Sequence, residues 1–320
     1  MPRFKDFVPH GVIPATLLAF NDDFSIDEES TRAHLQHVAG VDGITAITVN
    51  GHSSEIHACS DAEQQRILDV SLDEVGDRLP LIAGVWADGS HEAARIARWS
   101  EAAGASCLLV FPPQPIMMMQ GQMKPDMGVA HFKTIADATD LPIIVFQYPD
   151  SYAYSMETMH RLIEEVPQIV AMKDWNMGQT HERHVRELQS ASRPFHVLST
   201  NSAWLMSSLT MGAKGLLSGS GSVIADLQVA LFDAVQAGDL KRAQAINDRI
   251  YPTARCFYAP PATDMHNRMK EALVMLGRIP KAVVRPPLTK VSEAELATIR
   301  AAIEMAGLSY EGAEMLRAAA

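Results

Sequence analysis

Apolar positions in this chain follow two alternating rhythms. Short unbroken apolar runs recur at residues 11–16, 44–49, 81–85, 107–111, 143–146, 169–173, 195–199 and 215–218. Runs this short, with little polar alternation, read as strands buried on both faces. The stretches between them carry apolar residues at helical spacing, and several open on acidic or capping residues. Examples are Ser25-Ile26-Asp27-Glu28-Glu29, the capping box Ser60-Asp61-Ala62-Glu63, Ser90-His91-Glu92 and Ser155-Met156-Glu157. Eight strands, each followed by a helix, predict an α/β fold of the (β/α)8 TIM-barrel type. A doubly wound open sheet is the runner-up, but no glycine-rich phosphate fingerprint follows the first strand to support it.

Beyond the eighth strand the pattern turns wholly helical, over residues 225–237, 239–251, 263–276 and 292–306, with Pro286-Pro287 breaking the chain before the last. Leu240, Ala243, Ile246 and Ile250 recur at helical intervals. The expected division is a barrel carrying the catalytic site over residues 1–224 and a C-terminal helical extension over 225–320 packed on it. Residues 116–128, with Met117, Met118, Met119, Met123 and Met127, read as a long loop packed into irregular apolar gaps. A lid or a subunit contact is the alternative there.

Composition narrows the class. The 320 residues, 47% hydrophobic and 20% charged, suit one large α/β domain or a barrel with an appendage. No run of eighteen apolar residues occurs, and the start, Met1-Pro2-Arg3-Phe4-Lys5-Asp6, lacks the apolar core of a signal peptide, so no membrane partner and a cytoplasmic location are expected. Cys59, Cys107 and Cys256 are too scattered for a disulfide framework or a metal cluster, and Cys107 reads as a small buried strand residue. A formal charge of -11 argues against a nucleic-acid surface.

Candidate chemistry gathers where the strands end, because barrel active sites sit at that face. Lys173 closes the sixth apolar run and is followed by Asp174-Trp175-Asn176. Either it reaches solvent or pairs with Asp174, or burial lowers its pKa and frees a nucleophilic amine able to form Schiff bases. The second run ends in Asn50-Gly51-His52-Ser53-Ser54-Glu55, a turn that offers N–H groups and hydroxyls to a carboxylate or simply caps itself. The fifth ends in Phe146-Gln147-Tyr148-Pro149 and the eighth in Ser218-Gly219-Ser220-Gly221-Ser222, whose small residues leave room beside the lysine. An amine, hydroxyls for an acid group and aromatic walls together describe a carbonyl site. His181 and His184, three apart with no third ligand nearby, read as solvated helix residues. Asp174 either orients the amine or caps a loop, and Trp175 is either a cavity wall or loop packing. Trp86 and Asn201 are weaker candidates.

These motifs, in this order, resemble the dihydrodipicolinate synthase and N-acetylneuraminate lyase family of class I aldolases. The carriers are Gly11-Val12-Ile13-Pro14-Ala15-Thr16, the Gly51-to-Glu55 turn, and Lys173 at a strand end. The tail Arg268-Met269-Lys270-Glu271-Ala272-Leu273-Val274-Met275-Leu276-Gly277 and Val284-Arg285-Pro286-Pro287-Leu288 adds to them. The resemblance implies a barrel with a C-terminal helical extension, a homo-oligomer (tetramer or dimer), no cofactor or metal, and a Schiff base between Lys173 and pyruvate or another 2-oxo acid. It also implies that Ser53 keeps a hydroxyl that contacts the oxo-acid carboxylate in relatives, and that the turn at Gly219 lines the oxo-acid pocket. The departures bear on the substrate. The usual Gly-Thr-Thr-Gly-Glu turn is Gly51-His52-Ser53-Ser54-Glu55, and the usual tyrosine after the fifth strand is Phe146. The arginine that grips a second carboxylate in the lysine-biosynthetic enzyme corresponds to Ser151, and a tyrosine supplied across its dimer falls near Pro113-Gln114.

The expected activity is therefore that of a lyase catalysing aldol cleavage or condensation, other than dihydrodipicolinate synthesis itself, with an aldehyde as the second substrate. Lys173 is the expected nucleophile, with Tyr148 and His52 as proton carriers. Gly51, Ser53, Ser54, Phe146, Ser218, Gly219 and Ser220 face the substrate. Dehydration of a 2-oxo-3-deoxy sugar acid, or oxo-acid binding without turnover, are the alternatives. A metal-dependent lyase would need paired carboxylates and a histidine at the strand ends, where only Glu55 and Asp174 are acidic.

Overall fold

The computed structural model describes residues 2–5, 7–114, 118–119, 121–149 and 153–309. All eight apolar runs form strands: β1 (Gly11–Pro14), β2 (Ile47–Val49), β3 (Leu81–Val85), β4 (Cys107–Val110), β5 (Ile143–Gln147), β6 (Ile169–Asp174), β7 (His196–Ser199) and β8 (Gly215–Ser218). From β2 to β8 every strand pairs in parallel with the next in chain order, and β8 pairs with β1. Bridges from Val12 to Ile44 and from Ala15 to Thr48 join β1 to β2 and close the sheet into a barrel. Residues 44–46, read as part of the second strand, lie before β2 and join β1 through that bridge and the bond from Thr45 N to the Val12 carbonyl at 3.0 Å.

The helices α1 (Glu28–Ala39), α2 (Asp61–Val75), α3 (Ser90–Ala103), α4 (Pro125–Ala136), α5 (Met156–Glu165), α6 (Gly178–Arg183, continued by a π-helical turn His184–Leu188), α7 (Leu205–Thr210) and α8 (Gly221–Gln236) follow the eight strands in turn. The capping box forms as read: Ser60 Oγ accepts from Glu63 N, and the Glu63 carboxylate accepts from Ser60 N at 2.8 Å. Three more helices follow, α9 (Leu240–Phe257), α10 (Met265–Met275) and α11 (Glu293–Met305), with α11 packed on α9 and α10. No helix among the described residues is long and apolar enough to cross a membrane.

Two apolar layers result. Val12, Val49, Leu108, Val145 and Met172 face the helices, whereas Ile13, Ile82, Leu109, Ile144, Leu198 and Leu217 fill the barrel. Cys107 is buried in the inner layer. The pairing of β5 with β6 carries an irregularity: Ile143 lies opposite Ile169, but Ile144 lies opposite Ala171, leaving Val170 extra. A bulge of this kind re-aims every side chain beyond it. It turns Ala171 and Lys173 inward and Met172 and Asp174 outward.

The segment read as a loop over residues 116–128 is partly regular. Gln122–Met123 pairs with Ala153–Tyr154 in a separate two-stranded sheet, and α4 already begins at Pro125, which suits the first helical position. Met123 is buried, whereas Met118, Met119 and Met127 are exposed, so the described part is not filled with packed methionines. Met117 and Ser151 lie outside the described residues.

Candidate active site

The inward turn of β6 brings Lys173 into the barrel mouth, 4% exposed. Its Nζ lies 4.2 Å from the centre of the Phe146 ring, and no carboxylate among the described residues pairs with it. Burial without a counter-charge lowers its pKa from 10.5 to about 7. A cavity of about 30 Å³ adjoins the amine, lined by His52, Ser53, Phe146, Lys173, Trp175, Thr200, Gly219, Tyr258 and Met265. That space is enough for a water or two.

The turn after β2 is shaped by its backbone. Asn50 and Glu55 both adopt left-handed φ angles of 54°. The Asn50 carbonyl approaches β3 so closely that a Cβ on Gly84 would sit 1.8 Å from it, so that position must be glycine. Within the turn the two serines divide their work. Ser53 Oγ is buried, has no hydrogen-bond partner, and belongs to the residue lining the cavity. Ser54 Oγ instead donates to the Thr16 carbonyl at 2.9 Å and accepts from Gly51 N, so it ties down the turn. Glu55 is wholly buried behind it. Its carboxylate pairs with Lys270 and accepts from the Arg285 backbone N–H at 3.1 Å, linking the turn to the C-terminal helices.

His52 stands over the cavity in an aromatic cage. Its ring meets Phe111 edge-on at 4.8 Å and Trp86 at 5.2 Å, and its Nε2 is hydrogen-bonded to the Tyr148 hydroxyl. Tyr148 in turn lies 4.6 Å from Phe146, ring centre to ring centre. Burial, and secondarily the Lys173 charge, hold the His52 pKa well below 6.5, so the imidazole is neutral. Burial raises the Tyr148 pKa above 10, so the phenol keeps its proton. The two side chains meet although 96 positions separate them in the chain.

The eighth strand contributes unevenly. Gly219 lines the cavity, but Ser218 and Ser220 point their hydroxyls at Ser202, at 3.0 and 2.8 Å, and at one another. Ser220 N donates to the Tyr258 hydroxyl at 3.2 Å. Tyr258 and Met265, which close the cavity from the C-terminal helices, escaped the sequence reading, as did Thr200 after β7. Their positions follow from how α9 and α10 fold over the barrel mouth, and no local pattern announces them. Trp175 is a cavity wall, Trp86 supports His52, and Asn201 caps its own turn by accepting from Ala203 N at 3.2 Å.

Asp174 faces away from the amine, and the two histidines read as solvated are buried against it. His181 Nδ1 lies 2.8 Å and His184 Nδ1 2.7 Å from Asp174 Oδ2, with exposures of 0% and 3%. Helical spacing puts both imidazoles on the face of α6 that packs on β6. Burial alone would raise the Asp174 pKa, but these two donors hold it below 3.8. Asn176 completes the cluster: its Nδ2 donates to Asp174 Oδ1 at 2.8 Å and to the Tyr148 carbonyl at 3.1 Å. His181 Nε2 is hydrogen-bonded to Ser208 Oγ at 2.7 Å. No group of three His, Cys, Asp or Glu side chains suited to hold a metal occurs among the described residues.

Comparison with known proteins agrees with this architecture. The 4-hydroxy-tetrahydrodipicolinate synthase of Haloarcula marismortui is 32% identical over 319 residues, covering 96% of this chain and 98% of that one. The enzyme of the same name from Methanopyrus kandleri is 29% identical, covering 96% and 99%. Among solved structures, dihydrodipicolinate synthase from Aquifex aeolicus superposes with a TM-score of 0.83 at 24% identity, over 94% of this chain and 99% of that one. A prophage protein of the dihydrodipicolinic acid synthase family from E. coli K12, solved in complex with pyruvate, gives 0.85 at 22%, over 93% and 99%. The family model for the dihydrodipicolinate synthetase family matches residues 8–306. The closed eight-stranded barrel, with an amine at the end of its sixth strand, belongs to a lyase of the dihydrodipicolinate synthetase family.

Proposed function

We propose that this chain is a class I lyase that joins pyruvate or another 2-oxo acid to an aldehyde, or cleaves the adduct, through a Schiff base on Lys173. The observation that carries this reading is the buried amine with its pKa near 7, facing a cavity that also holds an unpartnered serine hydroxyl. An amine of that pKa is substantially neutral at physiological pH and attacks the ketone carbon, and loss of water leaves the imine. The 2-oxo acid carboxylate is placed on Ser53 Oγ, whose buried hydroxyl otherwise goes unsatisfied. Ser54, Ser218 and Ser220 hold the walls and do not touch the ligand, since their hydroxyls bond within the protein.

In the cleavage direction the protonated imine withdraws the electron pair of the carbon–carbon bond. The substrate hydroxyl loses its proton and leaves as an aldehyde. With the family tyrosine replaced by Phe146, that proton goes to the Tyr148 oxygen as Tyr148 passes its own to neutral His52 Nε2. The pyruvate complex of the E. coli prophage protein supports a 2-oxo acid as the first ligand. The test is reduction with borohydride in the presence of pyruvate, read by peptide mass. An adduct on Lys173 is expected, and an adduct on Lys214 or Lys270, or none, ends the proposal.

A further inference from the structure

We infer that the carbonyl partner of the 2-oxo acid is an uncharged aldehyde with a flat aromatic substituent. This rests on the Schiff-base reading and names the substrate class it leaves open. The loops that leave the strand ends, residues 15–27, 50–60, 86–89, 111–124, 148–155, 175–177, 200–204 and 219–220, contain one lysine and no arginine. That lysine, Lys124, is exposed at the start of α4. The same loops carry Asp22, Asp23, Asp27, Glu55, Asp88 and Asp150. A carboxylate or phosphate on the aldehyde would meet no counter-charge there beyond the Lys173 amine, which the imine consumes. Among the guanidiniums of the C-terminal helices, Arg268 is committed to the Phe257 and Ala259 carbonyls, at 3.4 and 2.6 Å, and Arg255 does not line the cavity beside Lys173. Arg255 is exposed and lines a neighbouring cavity of about 400 Å³ that shares Trp175 and Tyr258 as walls.

A polyhydroxylated tail fits no better, because most polar groups around the mouth already bond to one another and Ser53 is taken by the oxo-acid carboxylate in the Schiff-base reading. His52 is bonded to Tyr148, Gln147 to the Tyr154 backbone, Asn176 to Asp174, and Tyr258 to Ser220. What remains beside Lys173 is Phe146, Trp175, Tyr258 and Met265, with Thr200 as one polar neighbour, and the Phe146 and Trp175 rings lie parallel to within 28° at 6.4 Å. Such walls offer ring faces for a planar apolar group to stack on and bury its surface, and they must part to admit it, since the present space holds only a water or two. In the condensation the enamine carbon of pyruvate bonds to the aldehyde carbon, and the carbonyl oxygen takes one proton. Hydrolysis of the resulting imine returns the lysine amine and releases a 4-hydroxy-2-oxo acid.

The experiment offers the full-length protein pyruvate with benzaldehyde, glyceraldehyde or succinic semialdehyde and measures kcat/KM for each, alongside borohydride trapping of pyruvate alone. Benzaldehyde is expected to exceed both others by about tenfold or more. Equal or better turnover of glyceraldehyde or succinic semialdehyde overturns the inference. A preference for succinic semialdehyde that disappears in Arg255→Ala also overturns it, by placing an anionic tail on that guanidinium. Trapping on Lys173 without benzaldehyde turnover overturns the inference and leaves the Schiff-base proposal standing, whereas no trapping removes both.

Discussion

At Lys173 a single effect, removal from water, sets the chemistry. Since no nearby acid opposes it, the activity should follow the neutral amine: log kcat/KM climbs with pH and levels off above about pH 7. A plateau reached only near the ordinary lysine value would show that the amine is hydrated. Lys173→Met should abolish borohydride trapping and lower kcat by roughly 10⁴-fold or more. It should also raise Tm, because burying an amine that is charged in the unfolded chain and loses its charge on folding costs stability that methionine does not. The His52–Tyr148 pair makes a second residue-scale prediction. Tyr148→Phe and His52→Phe should each lower kcat roughly a hundredfold, and the double variant should be little worse than either, as expected of groups that move one proton together. The two residue types and their loops were readable in the sequence. Their hydrogen bond was not, because it joins the ends of strands far apart in the chain.

Among the elements, β6 shows how a local irregularity decides which way a side chain faces. A strand buried on both faces has no alternating pattern, so nothing in Gln168-Ile169-Val170-Ala171-Met172 tells which side Lys173 faces. The bulge at Val170 answers it, and the Asp174 cluster locks the answer from behind. Asp174→Asn should weaken both imidazole contacts and lower stability by about 3 kcal/mol in urea denaturation. The sign with pH is definite. Asp174 has its pKa lowered on folding, so its contribution is complete above the unfolded value of 3.8 and fades as pH falls further. The variant should therefore lose part of the acid-side dependence of stability. His181 and His184 looked solvated because their spacing alone says only that they share a helix face, and that face was hidden until α6 was placed on β6.

Across the whole molecule, the C-terminal helices are fastened to the turn that carries His52 and Ser53. Lys270 on α10 reaches the buried Glu55, and its Nζ also donates to the Val283 carbonyl at 2.7 Å. Arg285 binds the Ala58 carbonyl at 2.7 Å and the Glu63 carboxylate. Lys270 and Arg285 of the tail are thus anchors to the turn, while Arg268 holds the segment beside Tyr258 through the Phe257 and Ala259 carbonyls, at 3.4 and 2.6 Å. Glu55→Gln should strip Lys270 of its counter-charge and cost about 3–5 kcal/mol, measured by chemical denaturation. Adding Lys270→Met should recover much of that loss, since the uncompensated buried charge is then removed.

The strand and helix order, the closed barrel and the place of a lysine at a strand end were determined by the sequence alone, since short apolar runs, caps and a lysine ending a buried run are local signals. The tertiary structure decided which side of β6 the amine faces, which serine hydroxyl stays free, and which aromatic groups from distant loops and helices wall the cavity. Those outcomes depend on strand register and on contacts between segments remote in the chain, which no stretch of residues encodes by itself.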